Sequence, residues 1–517
     1  MKRLACILLI VTILFSGLFL IQNAYAQVNS GLTISGNTEW TMAQSPINFN
    51  GTVTISNNVT LTIDPGVTVN MGMYPFYVYG TLIAQGSANN QIVFTSVGNQ
   101  SVPNSASIPI YIGQYSTYTS GLTNPESIIQ YAVLNGVAIN VNGVASSEID
   151  GCTFNYGASY QAPIATYGSS PQISNNVINL NGKNSNGGMT GIDVYGGTPQ
   201  IVNNQFEGSL PSPINVGSTN VGIYVSSGSP VIHGNSFAAQ YGNNSDGIKV
   251  ASGTPLITNN QFQGSGWLIG VDDLSSAFFT ISNNEFSSCY MGVNAETGCL
   301  LYIQGNQFLE GTDGVDISGT AQVAVTGNLI DGNSRYGING GGTIGSNTIS
   351  NNQIGIHNPP LGNINNNNIV GNTLNSITAT TSDIDAKNNW WGITDTATIN
   401  RTIYDSKVDP HLGTIQFAPF LNGPSTSAPA IPNDTPAITP LPITQAQLPQ
   451  PTPTPQPVCT STPTPDQYSH TFEYQVGSMI NLNLITTATA AVLALVWVVV
   501  VLGYAVKRGI SKHRTKN

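Results

Sequence analysis

The acid–base chemistry available to this chain is concentrated in eight side chains, each following a Gly-[Ile/Val] pair. They are Asp193, Tyr224, Lys249, Asp272, Asn294, Asp316, Asn339 and His357. Asp273 adjoins Asp272, and Asp246 and Asp313 precede the glycines of their own units. Strand alternation points the residue after the Ile or Val toward solvent. If successive units stack as coils, Asp272 and Asp316 lie two coils apart, roughly 10 Å at strand spacing. That is at or just beyond the separation of about 6.5–9.5 Å used by inverting glycosidases. Asp272 and Asp316 are therefore the candidate acid–base pair, with Asp273 and Lys249 as their charged neighbours. A solvated outward column is the competing account, because any soluble coil needs one and this column mixes charge signs.

The elements that would position these residues are written as a repeat. The pattern aliphatic-x-[Asn/Gly/Ser]-Asn-x-[Ile/Phe] recurs nine times, at Asn176, Asn204, Asn235, Asn260, Asn284, Asn306, Asn328, Asn347 and Asn367. The gaps run 28, 31, 25, 24, 22, 22, 19 and 20 residues. Such a period implies a solenoid, in which each unit buries its apolar face against a neighbour. Within a unit the two apolar positions are five apart, as in Ile173/Ile178, Ile257/Phe262 and Ile281/Phe286. An odd separation places them on opposite faces of a straight strand, so a bend at the Asn or Gly must return the second inward. Pro171, Pro199, Pro230 and Pro255 open the following strands, where a missing N–H is tolerated. No sustained 3.6-residue period occurs, which rejects helical solenoids. Short strands, bends and about 20–25 residues per turn predict an all-β parallel β-helix, its stacked asparagines bonding along the axis as an amide ladder.

Gly222-Ile223-Tyr224-Val225 followed by Val231-Ile232-His233-Gly234-Asn235-Ser236-Phe237 resembles the repeats of the right-handed parallel β-helix superfamily, including NosD-like, carbohydrate-binding and sugar-hydrolysis modules. The resemblance covers roughly residues 130–392. Leu61-Thr62-Ile63-Asp64-Pro65-Gly66-Val67 is similar to the opening coils of such proteins, and Asn388-Asn389-Trp390-Trp391-Gly392 to the closing motif of microbial surface members. It implies a right-handed coil and, in the enzymes of this architecture, carboxylates on an exposed strand face. The order departs from polygalacturonases, since His233-Gly234 and Ile248-Lys249 precede Asp272-Asp273. For a lyase the nearest base is Lys249 beside Asp272, with Arg335 outside the column. NosD-like members are linked to copper-site assembly. Only Met71-Gly72-Met73 offers soft ligands here, and the five histidines are scattered, so no metal or cofactor is expected.

Composition frames the setting. Lys2 and Arg3, an apolar run over 4–21 and Ala24-Tyr25-Ala26 read as a secretory signal over 1–26. Residues 484–506 are uncharged, long enough to cross a bilayer, and followed by Lys507, Arg508, Lys512, Arg514 and Lys516, which predicts a cytoplasmic tail. All 24 Asp and Glu lie between Glu39 and Glu473, with only six Lys or Arg among them. An exterior that acidic disfavours nucleic acid and anionic polymers as partners. Residues 424–465 hold 13 prolines and one charge, the composition of an extended spacer. Sequons at Asn58, Asn99, Asn243, Asn400 and Asn433 are consistent with a glycoprotein. Cys152 takes the place of a ladder asparagine and is expected to pack in the core, Cys289 and Cys299 share a coil, and Cys459 falls in the spacer. Tyr74, Phe76, Tyr77, Tyr79, Tyr111, Tyr115 and Tyr118 cluster early and offer a sugar-stacking surface.

The expected organisation is a signal (1–26), an N-terminal cap and opening coils (27–130), β-helix repeats with a C-terminal cap (131–421), a Pro/Thr-rich linker (422–481), one transmembrane helix (482–506) and a basic tail (507–517). The expected role is a single-pass plasma-membrane protein displaying a structural or recognition module to envelope or extracellular glycans or proteins. The alternatives are a polysaccharide hydrolase or lyase using Asp272 and Asp316, and a NosD-like accessory protein for metal-site maturation.

Overall fold

The computed structural model describes residues 27–28, 31–96, 108–113, 126–143, 146–155, 162–180, 189–208, 220–238, 245–264, 268–296, 298–319, 321–359 and 363–433. The signal, most of the Pro-rich linker and residues 484–506 lie outside them. Among the described residues no helix is long and apolar enough to cross a membrane.

Each repeat contributes three short strands, one to each of three parallel sheets. Sheet A runs from Gln27–Val28 to Asn368–Val370, sheet B from Leu32–Ile34 to Ile403–Tyr404, and sheet C from Thr38–Trp40 to Ile364–Asn365. The sheets hold 15, 16 and 14 strands among the described residues, so the coils share a three-sided section that is incomplete only toward the ends. One coil passes from Val231–His233 in sheet C, around Gly234 and Asn235, to Ser236–Ala238 in sheet A and on to Ser245–Val250 in sheet B. Pro171, Pro199 and Pro230 sit just before sheet C strands and accept a bond at their carbonyls from Gln200, Val231 and Leu256 of the next coil.

The predicted bend separates sheets C and A. The residue before each ladder asparagine is left-handed, with φ between 55° and 67° at Asn203, Gly234, Asn259, Asn283 and Gly305. The ladder asparagines themselves are buried and lie over one another. The Nδ2 of Asn235 donates to Asn260 Oδ1 at 3.0 Å, and that of Asn260 to Asn284 Oδ1 at 3.0 Å. The ladder outruns the nine repeats by one rung, because Asn367 donates to Oδ1 of Asn389 in the closing motif. Its opposite end is Cys152, whose thiol donates to the Ile129 carbonyl while its N–H donates to Asn176 Oδ1. A second ladder, Asn333–Asn352–Asn372, stands five residues after the first in the last coils.

Inside, Phe206, Phe237, Phe262, Phe286 and Phe308 stack at 4.7–4.8 Å with nearly parallel rings. This column explains the glycine of the sheet B motif. A Cβ on Gly247 would fall 2.7 Å from the Phe262 ring and 2.7 Å from the Gly270 carbonyl. The carboxy-terminal end is closed by buried Trp391, Ile399, Ile403 and Ile415 with Phe417 against Trp391, around the short helix Thr396–Arg401. Trp390 is only half-buried and pairs with the main chain of the last coil. The start of the Pro-rich segment folds back over sheet A. Ser425 N–H donates to Asn368 Oδ1 at 2.7 Å, and the Pro429 carbonyl accepts from Thr348 and Asn368. An extended spacer can therefore begin only after this docked stretch.

Candidate functional site

Sheet B stacks the eight sequence candidates in one outward column. The register runs Asp193, Tyr224, Lys249, Asp272, Asn294, Asp316, Asn339, His357 without a break. Asp272 and Asp316 are two coils apart, as the spacing required.

The charged side chains of the column are already committed to neighbours one coil away. Lys249 Nζ lies 2.8 Å from Asp272 Oδ2 and 3.1 Å from Asp246 Oδ2, bridging two coils. Asn294 Nδ2 donates to the other Asp272 oxygen at 2.8 Å. Both carboxylates are nearly buried, and the lysine is itself only partly exposed. Burial works against the ammonium, yet Asp246 and Asp272 hold its pKa above the usual lysine range. Desolvation pushes Asp246 up to about 7, opposed by Lys249 and aided by Asp272. One lysine between two carboxylates neutralises a single charge, so the second carboxyl carries the strain.

The lower half of the column is similarly tied. Asp316 is raised by desolvation and by Asp313, and accepts from Asn339 Nδ2 at 3.3 Å. Asp313 is buried and bonded by Arg335, whose guanidinium covers the Tyr336 ring at 4.9 Å. Tyr336 stacks on His357 at 4.3 Å. His357 is pulled down to about 4 by burial and then by Arg335, which leaves the ring neutral at pH 7. Asn358 donates to its Nε2 at 2.9 Å, and its Nδ1 lies 2.7 Å from Thr378 Oγ1. At the upper end desolvation raises Asp193 to about 7, and Tyr195, stacked on Tyr167 at 5.0 Å, donates to its carboxylate.

Asp273 does not belong to this face. It aligns with Val250 and Ala295, an inward column, and is wholly buried. Its Oδ1 accepts from Ser275 N–H at 2.8 Å, while Oδ2 and the Ser275 hydroxyl find no partner among the described residues. Desolvation raises its pKa. A raised folded-state value penalises folding progressively as pH climbs above the unfolded value, near 3.9, and through the folded one. Asp273→Asn keeps the Ser275 bond and removes the charge. It should raise stability at pH 8 by on the order of 1–2 kcal/mol, with the gain shrinking toward pH 4 as the wild-type carboxyl protonates. Thermal unfolding of both proteins across that range measures it, and a destabilised variant at pH 8 refutes the placement.

The soft and thiol ligands are dispersed. Met71 is buried in a sheet A strand that ends at left-handed Gly72, and Met73 in the turn beyond is 67% exposed, so the Met-Gly-Met pair is divided between core and surface. Cys152, Cys289 and Cys299 are free and buried, each with its thiol donating to a main-chain carbonyl. Burial pushes the Cys152 and Cys289 thiols up to about 12. The Cys289–Cys299 bridge that a shared coil allowed is not formed. Among the described residues no group of three or more His, Cys, Asp or Glu converges. Of the early aromatics, Phe76 is core, Tyr77 stacks on Tyr111 at 5.1 Å and on Tyr79 at 6.1 Å, and Tyr115 and Tyr118 lie outside the described residues.

A groove on sheet C, absent from the sequence expectations, carries Phe278, Leu300 and Tyr302 at outward positions. The signal was present as three large apolar residues at outward positions of strands whose inward rows were already complete.

The geometry can be set beside known proteins. A family model described as periplasmic copper-binding protein (NosD) matches residues 243–406. The crystal structure of bacteriophage CBA120 tailspike protein 3 aligns at 12% identity over 76% of this chain with a TM-score of 0.24, and the chain spans 57% of that structure's length. A search among curated proteins returns no match. From Asp246 to the closing helix the chain is thus similar to the NosD family, and its architecture is a parallel β-solenoid.

Proposed function

We propose that this protein is a non-catalytic recognition and display module of the cell envelope, held by the apolar segment 484–506 with its solenoid outside the cell. One observation carries the non-catalytic part. Asp272, the carboxylate best placed for acid–base work, has one oxygen on Lys249 and the other on Asn294. A general acid or base must exchange protons with substrate, and a carboxylate that is nearly buried with a fixed donor on each oxygen is poorly disposed to do so. The outward column instead resembles interstrand stitching, with polar side chains bonding neighbours one coil away. An acidic exterior and aromatic side chains on an otherwise polar surface favour uncharged glycans as the contacted class.

Copper does not fit the described residues. Met71 is buried while Met73 is exposed, the three described thiols are buried and do not converge, and His233, His357 and His411 each bond a nearby residue of their own. No step of the proposed role runs through a metal.

The full-length chain, offered a panel of insoluble and soluble polysaccharides, is expected to be retained on some without shortening any. The Asp272→Asn, Asp316→Asn double variant should be retained equally. Depolymerisation by the wild type that disappears in the double variant would replace this reading with a polysaccharide hydrolase or lyase.

A further inference from the structure

We propose that the groove on sheet C binds a neutral glycan chain, stacked at one end on Phe278 and Tyr302 and hydrogen-bonded at the other by Asp383 and Asp385. This rests on the recognition reading above and adds a place and a ligand charge to it.

The groove encloses about 860 Å³ and runs along the solenoid axis. Its outward columns are fixed by register: Phe278 aligns with Leu300 and Gln322, and Tyr302 with Ala324 and Thr343. Asn363 and Asp385 continue the line across an isolated bridge. From the strand of Phe278 to that of Asp385 is five strand spacings, about 24 Å, room for several sugar rings in file. The hollow arises because the middle of the column is small. Ala324 follows Tyr302, and Gly342 is obligatory, since a Cβ there would sit 1.8 Å from the Val323 carbonyl. Units here have shortened to 19 and 20 residues, which leaves Gly340-Gly341-Gly342 as a bare corner.

Phe278 and Tyr302 are 51% and 48% exposed and meet edge to face at 5.1 Å. With the rings at 87°, one can offer its face to the C–H side of a pyranose while the other buttresses it edge-on, both held open to water at adjacent rungs. Beyond them the lining turns polar, with Gln322, Thr343 and Asn363 able to donate or accept and two carboxylates able to accept from hydroxyls. Charge selects among glycans. Among the described residues of the lining only Asp383 and Asp385 are charged, and since Lys387 offsets Asp385 at 3.2 Å, the net negative charge rests on Asp383. Uronate or sulfate groups would meet repulsion there. The chain's own Pro-rich stretch is not the occupant over residues 425–429, because that stretch lies on sheet A.

Isothermal titration of the full-length chain with cellohexaose, chitohexaose, mannohexaose and oligogalacturonate tests this. Binding of at least one neutral hexasaccharide is expected, weakened tenfold or more by Phe278→Ala with Tyr302→Ala and by the groove-filling Ala324→Tyr. All three positions face outward, so an unchanged thermal midpoint would show that folding is intact. If the first variant misfolds, the Ala324→Tyr result decides. Neutral-glycan binding that neither variant alters overturns the groove and leaves the recognition reading standing. Tighter binding of oligogalacturonate overturns the charge argument, and no binding to any glycan overturns both readings.

Discussion

Asn260→Ala should lower the stability of the solenoid by about 4 kcal/mol, an effect seldom seen for one polar side chain. Asn260 stands mid-ladder and is 1% exposed. Its Nδ2 donates to the Ile232 carbonyl at 2.9 Å and to Asn284 Oδ1 at 3.0 Å. Its Oδ1 accepts from both the main-chain N–H and the Nδ2 of Asn235, at 2.9 and 3.0 Å. Truncation removes these four bonds and a fifth to the Thr258 carbonyl, and leaves buried groups of Asn235 and Ile232 without their partners, each worth about 1–3 kcal/mol when unsatisfied. Since each coil contacts only its neighbours, the damage should be local as well as global. Hydrogen exchange should accelerate at the amides of Asn235 and Gln261 well before those near Phe76. A change under about 1 kcal/mol, or uniform exchange along the axis, would mean the ladder is not a structural seam.

Trp391→Ala is the second large effect, expected at about 3–5 kcal/mol. The indole is wholly buried beneath the last coil and meets Phe417 at 6.1 Å and 76°. Removing it opens a void at the one place where the apolar interior would otherwise face solvent. It would also loosen the covering of the terminal strands, whose unpaired edges can template association. Trp390→Ala should cost far less, since Trp390 is half-buried and its main chain makes the pairing to Asn367 and Ile369. Thermal unfolding and light scattering of both variants separate the two roles. Equal destabilisation, or none, would refute the assignment of the cap to Trp391.

The contrast between the two tryptophans shows where reading the chain stops. Asn388-Asn389-Trp390-Trp391-Gly392 was identifiable as a closing motif, but the motif alone does not say which ring covers the last coil. Which one turns inward depends on where the left-handed residue Asn388 places the bend, and on Phe417 arriving from 26 residues later. Asn389 as a tenth rung could have been found from its 22-residue distance to Asn367. The second ladder was equally open to view, as Asn333, Asn352 and Asn372 each follow a first-ladder asparagine by five.

By itself the sequence determined the coil, its three-way use of apolar residues, the corner asparagines and the outward column on sheet B. These follow from local rules: alternation with period two, left-handed tolerance of Asn and Gly, and a repeat that forces like to stack on like. Tertiary structure alone decided that Lys249 ties Asp246 to Asp272, that Asp273 turns into the core, and that Phe278 and Tyr302 flank a groove on sheet C. Those outcomes hinge on the offset between coils, which varies with every loop length. A side chain meets partners some twenty residues away, and no local pattern records which of them it will reach.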